Sequence, residues 1–441
     1  MRGIYAVMAL IMVLGSAFVV CSDDSDAVEA SSVFVKFSTT GPESGEDGTQ
    51  DHPYTIQSTL TSRNLPDGIQ DEMTLYVLDY EDVASDPGSY SIVKGHYDID
   101  KSVTIDGTYM NNAERWNVYF NLKNNVSLTL NNMTFGELYV NGVETERSSV
   151  SINGCTFTMD GESVNLTDVS STNKTQQRHN ARCNNVGMTV TGCTFTCTGV
   201  SDEVTKTYAV YPLPGAHKLI VQGCIIDGYN SAINVDISGD AEITGNIFEN
   251  ITNRKGTESG FAVQVAGHNT EKITISYNKV TAKDPVEGGE ENAFLSIHET
   301  LDVRDEPVMV DKNKMFNFGI GVKYQESSGI TSGANVAATG NLFSEDGVTA
   351  TEMVVAGADE TQVVQTNPVS EVPFEEPEVP EVPVVPPFID DDDDYVPVNP
   401  ITPAPSTDSD DEEGKVIVIA AAAAVVAVLA ALFIMMGKGK I

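Results

Sequence analysis

The sequence predicts an all-β solenoid, a right-handed parallel β-helix, and three observations carry that reading. First, an octad recurs eight times, starting at Leu128, Val150, Met188, Leu219, Ala241, Ile273, Val308 and Val336. It consists of an apolar–x–apolar pair, a turn residue, in seven of the eight copies a Cys or Asn, and a closing apolar residue. Second, subtracting successive start positions gives spacings of 22, 38, 31, 22, 32, 35 and 28 residues. The shortest equals one β-helical coil, and the longer ones add loops of variable length. Third, the intervening segments alternate again, as in Ile233/Val235/Ile237, Phe261/Val263/Val265, Ala293/Leu295/Ile297 and Ile320/Val322/Tyr324. Self-similarity at a period of tens of residues means stacked units, each sealing the apolar face of the next.

Positions one and three of the octad are apolar with mostly polar neighbours, the period-two signature of a strand with one buried face. Position five is Gly at Gly154, Gly192, Gly223, Gly245 and Gly340. Glycine reaches positive φ without steric cost, so a tight bend is expected there. Position eight returns an apolar side chain inward: Phe135, Phe157, Phe195, Ile226, Phe248, Val280, Met315 and Phe343. The unit is therefore strand, sharp corner, strand. Position six is Cys in Cys155, Cys193 and Cys224, then Asn in Asn246, Asn278, Asn313 and Asn341. Coils stacked at ~4.8 Å would align these side chains in a ladder. Asn amides donate and accept along such a stack and satisfy one another at a buried corner, and the Cys rungs make a smaller, mostly apolar ladder. A leucine-rich repeat would instead need a regular Leu frame and a helix per unit.

Three of these corners read Ile243-Thr244-Gly245-Asn246-Ile247-Phe248, Ile275-Ser276-Tyr277-Asn278-Lys279-Val280 and Ala338-Thr339-Gly340-Asn341-Leu342-Phe343. Upstream stand Tyr54-Thr55-Ile56-Gln57, Leu65-Pro66-Asp67-Gly68, Leu75-Tyr76-Val77-Leu78, Gly88-Ser89-Tyr90 and Ser102-Val103-Thr104-Ile105-Asp106-Gly107. Together, over about Asp51 to Ala350, they resemble the pectin-lyase-like β-helix superfamily and, more narrowly, the adhesin-like surface proteins of methanogenic archaea. The resemblance implies that the upstream segment forms an N-terminal cap and first coil. It is specific for fold rather than activity, because that superfamily holds lyases, hydrolases, adhesins and inert surface proteins.

The remaining segments set the expected compartment. Residues 1–21 read as a secretory signal, with Arg2 ahead of an apolar run from Ile4 to Val20; Cys21 leaves a lipoprotein reading open. Residues 22–50 form an acidic linker and residues 51–350 the β-helix. Residues 351–413 read as an acidic stalk, Pro-rich from Thr366, whose composition favours an extended chain over a packed core. Residues 414–437 read as a transmembrane helix, its apolar run Val416 to Met436 spanning ~31 Å. Lys438 and Lys440 in the 438–441 tail place that end in the cytoplasm and the β-helix outside the plasma membrane.

The formal net charge of −39, from 25 Lys and Arg against 64 Asp and Glu, excludes nucleic acid and an anionic membrane surface as direct partners. No cofactor is expected. The one metal considered is Ca²⁺ at Asp390 to Asp394, a carboxylate run without a defined loop that is ordinarily just solvated. Five cysteines lie beyond the signal; Cys155, Cys193 and Cys224 fall in the repeat register, and a Cys183–Cys197 pairing stays open. N-glycosylation sequons occur at Asn125, Asn132, Asn165, Asn173 and Asn250, of which Asn132 sits at a tight corner and is set aside.

No complete catalytic motif is present. Asn234-Val235-Asp236 and Gly267-His268-Asn269 are fragments of polygalacturonase-like patterns, with no Asp-Asp pair between them and no Arg-Ile-Lys after them. Glycoside hydrolysis needs two carboxyls flanking the bond, and Asp227 with Asp236 is the only pair worth testing. His268 and His298 are single histidines at strand ends. The expected function is adhesion or glycan and surface binding at the exterior of the cell, toward extracellular glycans or neighbouring cells. The alternative is a tethered polysaccharide lyase or glycoside hydrolase.

Overall fold

The computed structural model describes residues 32–38, 41–57, 65–80, 95–110, 115–160, 176–198, 204–254, 258–266, 271–285, 287–297, 306–324, 336–346, 349–357 and 363–366. The segments read as signal, transmembrane helix and cytoplasmic tail, and the stalk beyond residue 366, lie outside the described residues. The described chain is all-β: strands pair in parallel, and no helix occurs among them. This is the arrangement of a parallel β-helix solenoid.

The first ladder holds thirteen strands, from Tyr54–Gln57 at one edge to Val363–Thr366 at the other. The octads supply its middle: Ser149–Asn153, Gly187–Thr191, Lys218–Gln222, Asp240–Thr244 and Ile273–Ser276 follow one another in register. A second ladder runs through Thr156–Asp160, Thr194–Thr198, Ile225–Asp227, Ile247–Ile251, Lys279–Ala282 and Lys314–Phe316. A third runs through Gln176–Asn184, Val204–Pro212, Ser231–Val235, Phe261–Val265, Ala293–Ile297 and Ile320–Tyr324. The second and third diverge at Thr134–Asn141, whose Phe135 pairs with Phe157 while its Tyr139 pairs with Arg182. Ahead of that fork, Trp116–Leu122 spans both walls, its Trp116 facing Phe135 and its Tyr119 facing Tyr139, and Gly95–Ile99 pairs with its Val118–Leu122 half.

Register explains the core. Position-one residues Leu128, Val150, Met188, Leu219, Ala241 and Ile273 are mutual partners on successive coils, and all are buried. Position eight gives an aromatic stack, with Phe135 and Phe157 at 5.2 Å and Phe157 and Phe195 at 4.5 Å between ring centroids. Trp116 continues it at 6.2 Å from Phe135.

The corner keeps one backbone conformation in all eight octads. Position five has positive φ in all eight copies: Asn132, Gly154, Gly192, Gly223, Gly245, Tyr277, Lys312 and Gly340. Glycine is thus the usual but not the obligatory occupant. Position six then turns inward to reach a carbonyl that the bend leaves outside the strand ladder. Nδ2 of Asn246, Asn278, Asn313 and Asn341 donates to the position-three carbonyls of Val221, Ile243, Ile275 and Val310, at 2.8 to 3.0 Å. Cys155, Cys193 and Cys224 aim their thiols at the equivalent carbonyls of Leu130, Ile152 and Val190, at 3.4 to 3.7 Å. The thiol is thus a weak version of the amide, filling the same slot. Burial pushes the Cys155 and Cys224 thiols above the ordinary cysteine range.

Strands also occur outside residues 51–350. Ser32–Ser38, in the stretch read as linker, lies between Tyr54–Gln57 and Met73–Tyr80 because Val35 and Phe37 alternate inward and are fully buried. Val363–Thr366, in the stretch read as stalk, pairs with Val336–Thr339 and covers what would otherwise be a bare sheet edge. Cys183 and Cys197 are both buried, stand on the third and second ladders respectively and form no disulfide.

Candidate functional site

The outer side of the third ladder and of the entry wall carries one lateral row of aromatic and polar side chains. Each lies between inward-pointing neighbours, as Tyr119 lies between Val118 and Phe120, and Tyr139 between Leu138 and Val140, so period two turns it outward. Cross-strand register makes the row continuous: His96 faces Tyr119, Tyr119 faces Tyr139, Tyr139 faces Arg182, and Arg182 faces Tyr211. Asn234, Gln264, Ser296 and Lys323 continue it on later coils.

These rings touch. His96 stacks on Tyr119 at 4.7 Å, Tyr119 meets Tyr139 edge-on at 4.9 Å, and the Arg182 guanidinium lies 4.7 Å over the Tyr139 ring. Beside them, His179 is enclosed between Tyr208, at 5.6 Å, and Tyr211, at 4.2 Å. Two residues further along the strands runs an amide row. Asn121 donates to Asp98 at 2.8 Å, Asn141 to Asn121 at 3.5 Å and Asn184 to Asn141 at 3.3 Å, and Lys123 closes its end on Asp98 at 2.6 Å.

Burial sets the electrostatics. It pushes the Tyr119 hydroxyl up to about 12 and raises Tyr139 and Tyr211, so all three stay protonated donors. Burial, then the Arg182 charge, drives His179 down to about 3, and burial lowers His96 against the pull of Asp98. Both imidazoles are neutral at neutral pH. Arg182 makes no ion pair among the described residues. Among the described residues, its Nε, His179 Nε2 and Ser231 Oγ are buried polar atoms without a hydrogen-bond partner. Such atoms are uncommon in a folded protein. Flat rings flanked by fixed amides suit a sugar, whose C–H faces lie on aromatics while its hydroxyls take amide hydrogen bonds.

A second cluster on the third ladder has the composition of a nucleophile site. Lys323 Nζ donates to Ser259 Oγ at 2.8 Å and to Glu290 at 2.6 Å, and Ser259 donates to the same carboxylate at 3.1 Å. The ammonium donates to both partners, so the trio is an ion-paired clasp rather than a base poised on a serine. Lys323 holds the Glu290 carboxyl below its ordinary range.

The sequence-derived candidates fall as follows. Cys155, Cys193, Cys224, Asn246, Asn278, Asn313 and Asn341 stand in one internal column, a structural element closed to ligands. Asp227 ends a second-ladder strand and accepts from Asn250 at 2.7 Å, whereas Asp236 follows a third-ladder strand. Asp227 is thus engaged locally, on a different ladder from Asp236. Asn125 and Asn250 are exposed with positive φ; Asn132 donates to Thr108 at 3.1 Å. Asn165, Asn173, His268, His298 and Asp390 to Asp394 lie outside the described residues. Among the described residues no group of three or more His, Cys, Asp or Glu side chains is gathered to hold a metal, and no helix is long and apolar enough to cross a membrane.

Sequence reading missed the row itself. Its only local signal is a single outward tyrosine, histidine or arginine in an apolar strand. Comparison of the chain with protein-family models, with curated proteins and with solved structures returns no match.

Proposed function

We propose that this chain is a cell-surface, membrane-anchored, right-handed parallel β-helix of the pectin-lyase-like kind, an adhesin-like protein that binds extracellular glycans. In this reading the signal exports the chain, the C-terminal helix holds it in the plasma membrane and the acidic stalk lifts the β-helix clear of it. The observation that carries the binding reading is the ring row from His96 to Tyr211 with its parallel amide row. A glycan array probed with the purified chain tests it. Binding to a defined saccharide class, lost when Tyr119 and Tyr139 are both changed to Ala, supports the reading; no binding to any glycan overturns it.

A second reading, a polysaccharide lyase, draws on Lys206. Burial and the neighbouring Arg254 push its ammonium down to about 8, the range of a general base. Incubation with acidic polysaccharides, followed by ultraviolet absorbance of unsaturated products, separates this reading from binding alone.

A further inference from the structure

Tyr277 and Lys312 are the anomaly of the corner column. Five copies of the repeat place Gly at this left-handed position and one places Asn132, but two successive coils place a large side chain there, with φ of 57° and 54°. An L residue with a long side chain is disfavoured in that conformation. The column does not call for bulk: at Gly245, one coil before Tyr277, an added Cβ would meet nothing within 4 Å. Strain kept without a packing reason points to a use outside the fold.

The surroundings say what use. The Tyr277 ring is 43% exposed. Lys312 Nζ donates to its hydroxyl at 2.9 Å, lies 5.0 Å from the ring centroid and pairs with Asp311 at 2.9 Å. Immediately inside the corner runs a short polar row in cross-strand register, Thr244, Ser276, Asp311 and Thr339, with Thr244 and Ser276 hydroxyls 3.2 Å apart. A flat ring thus borders fixed hydroxyl, carboxylate and ammonium groups. Asp311 and Lys312 pair with each other, so Tyr277, Asp311 and Lys312 carry no net charge between them on a chain of net charge −39. That balance suits an uncharged ligand.

We propose that Tyr277, Asp311 and Lys312 form a second carbohydrate contact, on the corner between the first and second ladders, for an uncharged pyranose. The ring receives the sugar face, Asp311 accepts from its hydroxyls and Lys312 donates to them. This inference rests on the glycan-binding reading above and adds a site and a ligand charge to it.

The test uses the full chain and immobilised polysaccharides: a mannan, a β-glucan and a galactan as neutral probes, polygalacturonate as the acidic one. Tyr277→Asn and Tyr277→Gly restore residues the corner already uses, so both variants should melt at or above the parent temperature. Each should weaken binding to a neutral polysaccharide about tenfold, the scale of one lost aromatic contact. Tyr277→Phe should retain binding. If the parent binds no polysaccharide, the glycan reading itself falls and this site with it. If the parent binds but Tyr277→Asn keeps its affinity, or if only polygalacturonate is bound, the corner site alone is overturned. A fall in melting temperature with binding intact makes the Tyr277–Lys312 pair a structural clasp and also overturns it.

Discussion

Asn278 donates from Nδ2 to Oδ1 of Asn313 at 2.9 Å, and the same Oδ1 accepts the Asn278 backbone N–H at 3.0 Å. One acceptor thus closes both the side-chain and the main-chain donors of the coil before it. The relationship repeats from Asn246 to Asn278 and from Asn313 to Asn341. Cys224 joins through its backbone N–H to Asn246 at 2.9 Å. The column therefore ties each coil to the next at the position where the bend interrupts ordinary strand pairing.

Removing a central rung should cost more than removing the last. Asn278→Ala strands the Ile243 carbonyl and the donors of Asn246, all buried, and should destabilise by about 3 kcal/mol or more. Asn341→Ala strands the buried Asn313 donors and Val310 carbonyl in the same way, but at a site 8% exposed water can reach them through the space left, and it should cost less, about 1–2 kcal/mol. Urea midpoints of the two variants check the order; equal shifts would show that the rungs do not act through buried donors.

The aromatic stack and the outer row should separate stability from binding. Phe157→Ala opens a cavity between Phe135 and Phe195 and should cost about 3–5 kcal/mol. Tyr139→Ala removes a half-buried outward ring that contacts Tyr119 and Arg182, and should cost about 1 kcal/mol, far less than Phe157→Ala, while weakening glycan binding at least tenfold. A large stability loss from Tyr139→Ala would make the row part of the core.

Cys155, Cys183 and Cys224 should resist alkylation in the folded chain. Burial raises each thiol, so the reactive thiolate is scarcer at every pH below that range than for a free cysteine. Mass spectrometry after iodoacetamide should show them unmodified at neutral pH and labelled once denaturant is added. Rapid native labelling would mean that the corner opens.

Stability should fall as the solution is acidified through the histidine range. His179 is held near 3 in the folded chain, against an ordinary value of 6.5, so below pH 6.5 the unfolded chain binds the extra proton. The folded state loses ground progressively from there towards pH 3. His179→Gln should flatten this dependence in urea midpoints taken at pH 7 and pH 4.5; an unchanged slope would assign the acid sensitivity to other groups.

How much of this was readable in the chain follows from the range of each signal. Alternation such as Leu128/Leu130 and the glycine-then-Asn corner at Gly245-Asn246 are local, so strands, bends and the all-β parallel architecture could be read from the residues themselves. Tyr277 and Lys312 share the backbone conformation of the corner glycines, but no propensity would place them there. The ring row was illegible for a different reason. His96, Tyr119, Tyr139, Arg182 and Tyr211 are spread over 116 positions, counting from 96 to 211, and become neighbours only through register across loops of unequal length. Likewise Val35 and Phe37 read as part of an acidic linker because their strand finds its partner beyond a stretch rich in Gly and Glu.

The measurement that bears most directly on the proposed role is calorimetric titration of the full chain with the saccharide selected on the array, run in parallel on Tyr139→Ala. Binding through the row predicts a saturable isotherm for the parent and at least a tenfold loss of affinity in the variant, with superimposable circular dichroism spectra. Equal affinity in the two proteins would contradict it, because the sugar would then be bound somewhere other than the row of rings.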